Sequence, residues 1–492
     1  MLLVLAPTAP SDALAATRPA HARWLNAALF DPRWRHVVEL DADARAELAR
    51  DYGVSALLPG QPQGGATIPV TTCSNSGSGS LRDAVANAAS GDTVDASMLT
   101  CSTITLTSGQ IAIAVDDLAI VGPGKRRLTI ANGAGTKYDN RLFLHTGTGS
   151  LVIAGMTLAD GQVSASSGDV VGGCIASFGT LSLGNFLFPD RPDSGVDIRG
   201  CRASVGQDGH SALGGAVYAE FGLSMTNSVI SGSEAAGTNT YERNSRGGGA
   251  YVRNGPLSMK YSEVRDNVAS GASGYSGGVC LVTAQDSVVI ESSAVIGNRA
   301  SRGNGGLYLR PFYGSVEIHD STIAANASPR RGGLIVIQEP TSPGTAITSS
   351  TISINTSESA TGAGLVFYGA SLTLDSVILS GNVADLDLPN DLHVGADAVL
   401  QGHSNLIGTA DAVLPADSIR TNAPQLAAPA YNGGATRTMA LDADSPARDH
   451  GSNANNEDYD QRGLGYPRLF GPAPDIGAYE LDPDRIFASG FD

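Results

Sequence analysis

Between Ala212 and Asn382 the chain repeats one pattern of apolar and polar positions every 26 to 34 residues. A glycine pair opens a short apolar run, as in Gly214-Gly-Ala-Val-Tyr, Gly248-Gly-Ala-Tyr-Val, Gly277-Gly-Val-Cys-Leu, Gly305-Gly-Leu-Tyr-Leu and Gly332-Gly-Leu-Ile-Val. A second run follows with a shared serine: Met225-Thr-Asn-Ser-Val-Ile, Met259-Lys-Tyr-Ser-Glu-Val, Ile290-Glu-Ser-Ser-Ala-Val, Ile318-His-Asp-Ser-Thr-Ile and Ile347-Thr-Ser-Ser-Thr-Ile. That serine falls at Ser228, Ser262, Ser293, Ser321, Ser350 and Ser376, and an asparagine follows at Asn267, Asn298, Asn326, Asn355 and Asn382. A period of this length marks a stacked array. The runs are short, alternating and rich in Gly, Ser and Asn, whereas a helical repeat needs long stretches of 3.6 periodicity. Each unit is therefore two or three strands joined by polar turns. The predicted fold is all-β, a right-handed parallel β-helix with rungs about 4.8 Å apart. A β-propeller is the competing array, but its blades need more than about 40 residues for four strands.

Alternation assigns faces. Ala216/Tyr218, Ala250/Val252, Val279/Leu281, Leu307/Leu309 and Leu334/Val336 are expected to fill the interior. The asparagines are expected to stack as an amide ladder in a turn that tolerates the left-handed conformation. Upstream, Ser80 is an N-cap with Asp83 three residues on, Leu81, Val85 and Ala88 share one face, and Gly91 closes a short helix. Such a helix would plug the first coil, whose end exposes apolar core and an unpaired edge. Ile104-Thr-Leu106, Ile111-Ala-Ile113, Leu118-Ala-Ile120 and Leu128-Thr-Ile130 are the first strands. Residues 1–16, with Met1-Leu-Leu-Val-Leu-Ala and Ala13-Leu-Ala15, read as an export leader with a short apolar run and without a basic n-region. Residues 18–58 hold both tryptophans, Trp24 and Trp34, and a helical run from Asp41 to Tyr52, and residues 59–72 read as a linker. The β-helix is expected over residues 73–425.

Composition narrows the function classes. A net charge of −17 leaves no basic surplus for nucleic acid, and no run of 18 apolar residues offers a transmembrane helix. Aromatic residues are 5 % of the chain against 61 glycines, which implies a thin, turn-rich core. Among the five cysteines, Cys73 and Cys101 stand 28 apart and Cys174 and Cys201 stand 27 apart, about one coil each. Disulfides between neighbouring turns are the expectation in an oxidising compartment, leaving Cys280 outside the pairing; buried thiols are the alternative.

The segments Gly77-Ser-Gly-Ser-Leu-Arg-Asp-Ala, Leu118-Ala-Ile-Val-Gly-Pro-Gly and Leu151-Val-Ile-Ala-Gly-Met-Thr-Leu resemble the start of bacterial extracellular β-helix proteins. Asn432-Gly-Gly-Ala-Thr-Arg-Thr-Met-Ala-Leu441, Ser445-Pro-Ala-Arg-Asp-His-Gly451, Asp460-Gln-Arg-Gly463 and Pro474-Asp-Ile-Gly-Ala-Tyr-Glu480 resemble the choice-of-anchor Q domain that closes many of them. Ile486-Phe-Ala-Ser-Gly-Phe-Asp492 resembles a terminal tag of exported proteins in some Gram-negative bacteria. The resemblance implies a C-terminal cap over residues 426–480, a tag over 481–492, and a secreted or outer-surface location. It implies no activity.

A β-helix displays its outward columns as evenly spaced ladders, and two of them carry chemistry. Alignment on the serine places Lys260, Glu291 and His319 on successive rungs between Thr226 and Thr348, a set able to act as acid and base in polysaccharide cleavage. A surface ion-pair ladder is the plainer reading. Tyr251 with Arg253 and Tyr308 with Arg310 stand two rungs apart, and rings with guanidinium forks suit sugars and uronates, although packing under a loop would use the same residues. The insertion Tyr241-Glu-Arg-Asn-Ser-Arg246 could wall such a groove. The acidic clusters Asp385/Asp387/Asp391 and Asn453/Asn456/Glu457/Asp458/Asp460 offer oxygen ligands for Ca²⁺, without a known calcium spacing; no other cofactor or metal is implied. The leading expectation is an exported, adhesin-like protein binding glycans or a cell surface without catalysis. A polysaccharide lyase or glycoside hydrolase acting on an acidic polysaccharide is the second, and a passive surface component the third.

Overall fold

The computed structural model describes residues 65–482, apart from 134–139, 185–191, 207–209, 238–244, 284–285, 360–361 and 385–387. The leader, the helical segment over 18–58 and most of the terminal tag lie outside the described residues, as do Tyr241, Asp385 and Asp387. What is described is a right-handed parallel β-helix. Its strands gather into five sheets of 12, 11, 9, 4 and 10 strands among the described residues, here sheets 1 to 5 in the order one coil visits them. In one coil these are Leu223–Thr226, Val229–Ser231, Glu234–Gly237 and Ser245–Arg246, after which Ala250–Val252 opens the next. Each strand pairs in parallel with its equivalent one coil later, except Val383–Ala384, which meets Leu388–Pro389 antiparallel.

Sheet 1 starts at Thr67–Pro69, paired with Asp92–Asp95, so the solenoid begins inside the stretch read as linker. The helix Leu81–Ala86 then covers the first coil with Leu81, Ala84 and Val85 buried; the Asp83 N–H donates to Ser80 Oγ and its carboxylate accepts from the Gly79 N–H. Asn87, not Gly91, is its C-cap.

The interior columns of sheets 1 and 5 are aliphatic over nearly every rung, as the alternation predicts. One register differs from the sequence reading. Val217 pairs with Ala250 and Tyr218 with Tyr251, so Val217 and Ala219 point inward and Ala216 and Tyr218 do not form the interior pair. The glycine pair at 214–215 leads its strand by one residue more than the others. Ser376 is likewise displaced: Thr348 pairs with Asp375 and Thr351 with Ile378, which puts Val377, not Ser376, in the column of Ser350.

Two polar ladders run the length of the coils. The N–H groups of Ser228, Ser262, Ser293 and Ser321 each donate to the Oγ of the next serine at 3.1–3.2 Å. The amides of Asn267, Asn298, Asn326 and Asn355 each donate to the following Oδ1 at 2.9–3.0 Å, and Asn382 donates to Asp391 at 2.8 Å. Every member is thereby satisfied in a dry interior, where an unpaired amide is costly. The glycine pairs exist because the chain returns here against other backbone. A Cβ on Gly248 would lie 2.4 Å from Val268 C, and one on Gly333 would lie 2.9 Å from Asn355 Cγ.

Both disulfides form. Cys73–Cys101 joins neighbouring rungs at the capped end, while Cys174–Cys201 closes one coil on itself, contrary to the expectation of a link between turns. Cys280 stays a buried thiol.

The C-terminal segment is no end cap. It doubles back along the outside of sheet 2, from Leu406 to Glu263. Gln461 Nε2 donates to Arg437 O and its Oε1 accepts from Thr322 Oγ1, Thr436 Oγ1 donates to Ser292 O, and the Ala478 N–H donates to Thr351 Oγ1. The outward residues of sheet 2 beneath it are small or apolar, Ala294, Ile296, Ala324, Ile378 and Leu406, so burial drives the strap onto this face. The strap locks itself through the motifs read from the sequence: the Arg462 guanidinium lies 3.8 Å from the Tyr479 ring centroid and 4.2 Å from that of Tyr466, and donates to Asp460 and Glu480 O.

Candidate functional site

Lys260, Glu291 and His319 are successive rungs of one column, as the serine alignment predicts: Lys260 pairs with Glu291 and Glu291 with His319. They end their strands in sheet 1, just before the turn into sheet 2. In that turn Tyr261, Ser292, Asp320 and Ser349 all hold φ of 45–49°. The left-handed turn is what swings the chain from one sheet to the next, so the column sits on an edge of the solenoid.

The strap covers this edge. Asn455 Nδ2 donates to Thr348 Oγ1 at 2.9 Å, and Glu457 Oε1 comes within 3.9 Å of His319 Nδ1. Asp320 Oδ2 lies 3.7 Å from the same nitrogen. Lys260 and Glu291 are bonded to each other. Their side chains and that of His319 are only 14, 21 and 19 % exposed. Burial lowers the Lys260 pKa, partly offset by Glu291. Burial also pulls His319 down, but Asp320, Glu291 and Glu457 outweigh it and the imidazole is raised. Burial, with Asp320 nearby, pushes Glu457 up to about 7, against the opposing pull of His319. Chemically this is a largely buried acid–base cluster spanning two parts of the chain, covered among the described residues by the strap. The sequence placed the column; it could not place Glu457, which lies far along the chain and reaches His319 only because the strap doubles back.

The second predicted set divides. Tyr251 and Tyr308 are 5 and 3 % exposed, because sheet 4 folds back over the outward face of sheet 5 and packs on them together with Tyr218 and Cys280. Their ring faces are spent inside the protein: Tyr218 and Tyr251 stack at 5.9 Å, and Tyr275 meets Tyr308 edge-on at 5.2 Å. They are not available as sugar platforms. Arg253 and Arg310 stand further along their rungs, beyond the cover. Arg253 lies 3.8 Å from Glu220, whose carboxylate also accepts from Tyr218 Oη and from Asn254 Nδ2. Arg310 lies over the Phe312 ring at 4.4 Å. On this margin between sheets 5 and 1, Phe178, Phe221 and Tyr313 are exposed. Sequence reasoning missed Phe178, Phe221 and Tyr313, which lie in turns outside the repeated strand columns.

Of the first acidic cluster only Asp391 is among the described residues, and the described members of the second turn to separate partners. Asp391 is buried and ends the asparagine ladder, also accepting from the Thr409 N–H, and burial raises its pKa against those bonds. Asp460 is bonded to Arg462, while Glu457 turns to His319. A shallow concavity of about 720 Å³ on the outer face of sheet 3, lined by Ser164, Arg202, Ser204 and Ser270, includes none of the predicted site residues.

No protein-family model matches this chain, and no curated protein matches it. Among solved structures it is similar to the crystal structure of the pectate lyase Pel9A at 14 % identity and a TM-score of 0.44, over 85 % of this chain and 96 % of that one. Among the described residues no helix is long and apolar enough to cross a membrane.

Proposed function

We propose that this chain is an exported β-helix protein that binds a glycan along the margin between sheets 5 and 1 and does not cleave it. The observation that carries the reading is the row of side chains on that margin: Phe178, Phe221 and Tyr313 exposed, with Arg253 beside them. Aromatic faces stack on the apolar faces of sugar rings, and a guanidinium fork matches a uronate carboxylate. Beside the row, the outward column of sheet 1 reads Ser182, Ser224, Ser258, Val289 and Glu317, with small side chains along the rungs of Phe221 and Arg253 that leave room for an extended chain. The acid–base column, by contrast, is turned under the strap and spent on internal pairing. Two disulfides fit an oxidising compartment. The likeness of residues 426–480 to a choice-of-anchor Q domain, and of the last seven residues to a terminal tag of exported Gram-negative proteins, supports the same reading of export.

The test is retention of the purified protein on immobilised uronate-containing and neutral polysaccharides, with new reducing ends followed in parallel. Retention on one class, lost in Phe178→Ala/Phe221→Ala and weakened in Arg253→Ala, is expected, without product. Product that disappears in Glu291→Gln would replace the reading with a polysaccharide lyase or hydrolase. Retention on none of them would leave a passive surface component.

A further inference from the structure

The strap and the solenoid meet at two polar atoms that nothing satisfies. Asp320 is 2 % exposed and its Oδ1 has no hydrogen-bond partner; nor does His319 Nδ1 beside it. Glu457 is aimed at them by a small turn in which the Asn453 side chain accepts from the Glu457 N–H and donates to its carbonyl, both at 2.8 Å. One donor atom from each of His319, Asp320 and Glu457 lies within 4.8 Å of the other two, with the imidazole nitrogen 3.7 and 3.9 Å from the carboxylates. These separations are too long for hydrogen bonds. They approach what a shared cation imposes, since two ligands each about 2.1 Å from one ion lie roughly 3–4 Å apart.

Charge argues the same way. Lys260 and Glu291 are bonded to each other, which leaves the Asp320 and Glu457 carboxylates and the His319 imidazole to one another, at separations beyond hydrogen-bond reach. Two carboxylates brought together away from water are costly to ionise, and a single divalent ion compensates both. We propose that His319, Asp320 and Glu457 bind one divalent transition-metal ion of the zinc type, which fastens the C-terminal strap to the solenoid. One imidazole nitrogen and two carboxylates suit such an ion, whereas Ca²⁺ takes six to eight oxygens and this site offers too few. The site is independent of the glycan reading and lies on the other edge of sheet 1.

The experiment is calorimetric titration of ZnCl₂ into the full chain after EDTA dialysis, with the thermal midpoint measured alongside. One ion per chain is expected, with a midpoint that rises until that ratio is reached. His319→Ala and Glu457→Gln should each weaken binding by more than about ten-fold. Glu457→Gln sits on a half-exposed turn, so its fold, checked by circular dichroism without metal, should match wild type. His403→Ala, at an exposed imidazole elsewhere, should bind as wild type. No uptake by the wild-type chain, equal affinity in Glu457→Gln, or uptake of Ca²⁺ in preference to Zn²⁺ overturns the assignment.

Discussion

A single histidine interrupts the aliphatic interior. In sheet 5 the inward column reads Ile113, His145, Ser177 and Ala219, and His145 is fully buried. Its Nδ1 lies 2.8 Å from Ser177 Oγ, and its Nε2 lies 3.1 and 3.0 Å from the carbonyls of Val115 and Asp116. The neutral ring satisfies all three when Nε2 carries the proton and Nδ1 accepts from the serine. Burial lowers its pKa, more than the nearby carbonyls and Asp116 raise it. The unfolded chain therefore takes up the proton first as pH falls, from about 6.5 downward. The stability tied to the neutral ring is complete above that value and is lost as pH drops through the folded pKa. The contribution of His145 to the thermal midpoint, read as the difference from His145→Ala, should decline between pH 7 and 5, and the His145 imidazole should titrate below 6.5 by NMR. A ring titrating above 6.5 would refute the assignment.

At the scale of the repeating element, two columns face each other across every coil. The residue opening the sheet 5 strand meets the residue that closes sheet 2: Gly249 against Asn267, Gly278 against Asn298, Gly306 against Asn326, Gly333 against Asn355 and Gly364 against Asn382. One coil earlier the same two columns hold Ala216 and Ser233, and one coil before that the disulfide Cys174–Cys201. A small residue on one side is matched to a longer one on the other, until two sulfurs fill the gap covalently. Gly249→Ala would put a Cβ 2.9 Å from Gly278 O and 3.1 Å from Asn267 Nδ2 and should cost about 1–3 kcal/mol by overcrowding. Paired with Asn267→Ser it reproduces Ala216 and Ser233. The double variant should therefore lose less stability in denaturant unfolding than the two single losses combined; simple additivity would show that the columns do not sense each other. The glycine pairs and the asparagines were both legible in the sequence, because each recurs at the period of the coil. Their mutual contact was not, since no local pattern tells which turn meets which. Nor was the true register at Gly214 and Ser376, where a repeated residue type sits one position away from its structural equivalent.

For the whole molecule, the strap decides which surfaces remain open. Sheet 2 turns from charged outward residues, Asp197, Arg199 and Arg265, to Ala294, Ala324, Ile378 and Leu406 at the rung of Glu263. Glu263 is itself buried, accepting from Tyr431 Oη and from the Arg437 N–H. That change of character along the two outward columns was readable as a covered face, yet the motifs that resembled a closing domain suggested an end cap. Nothing in their spacing gives the direction in which the chain turns after the last coil. Removing the chain beyond residue 424 tests the division of labour. The in-register ladders and both disulfides lie within what is left, so the far-ultraviolet β signal should survive. The bared apolar face of sheet 2 should lower the thermal midpoint and promote self-association. Glycan retention through Phe178, Phe221 and Arg253 should persist, because that margin lies across sheet 1 from the strap. An unchanged midpoint would mean the strap adds no stability to the solenoid. Retention lost while the β signal holds would place the binding surface on the strap and not on the margin.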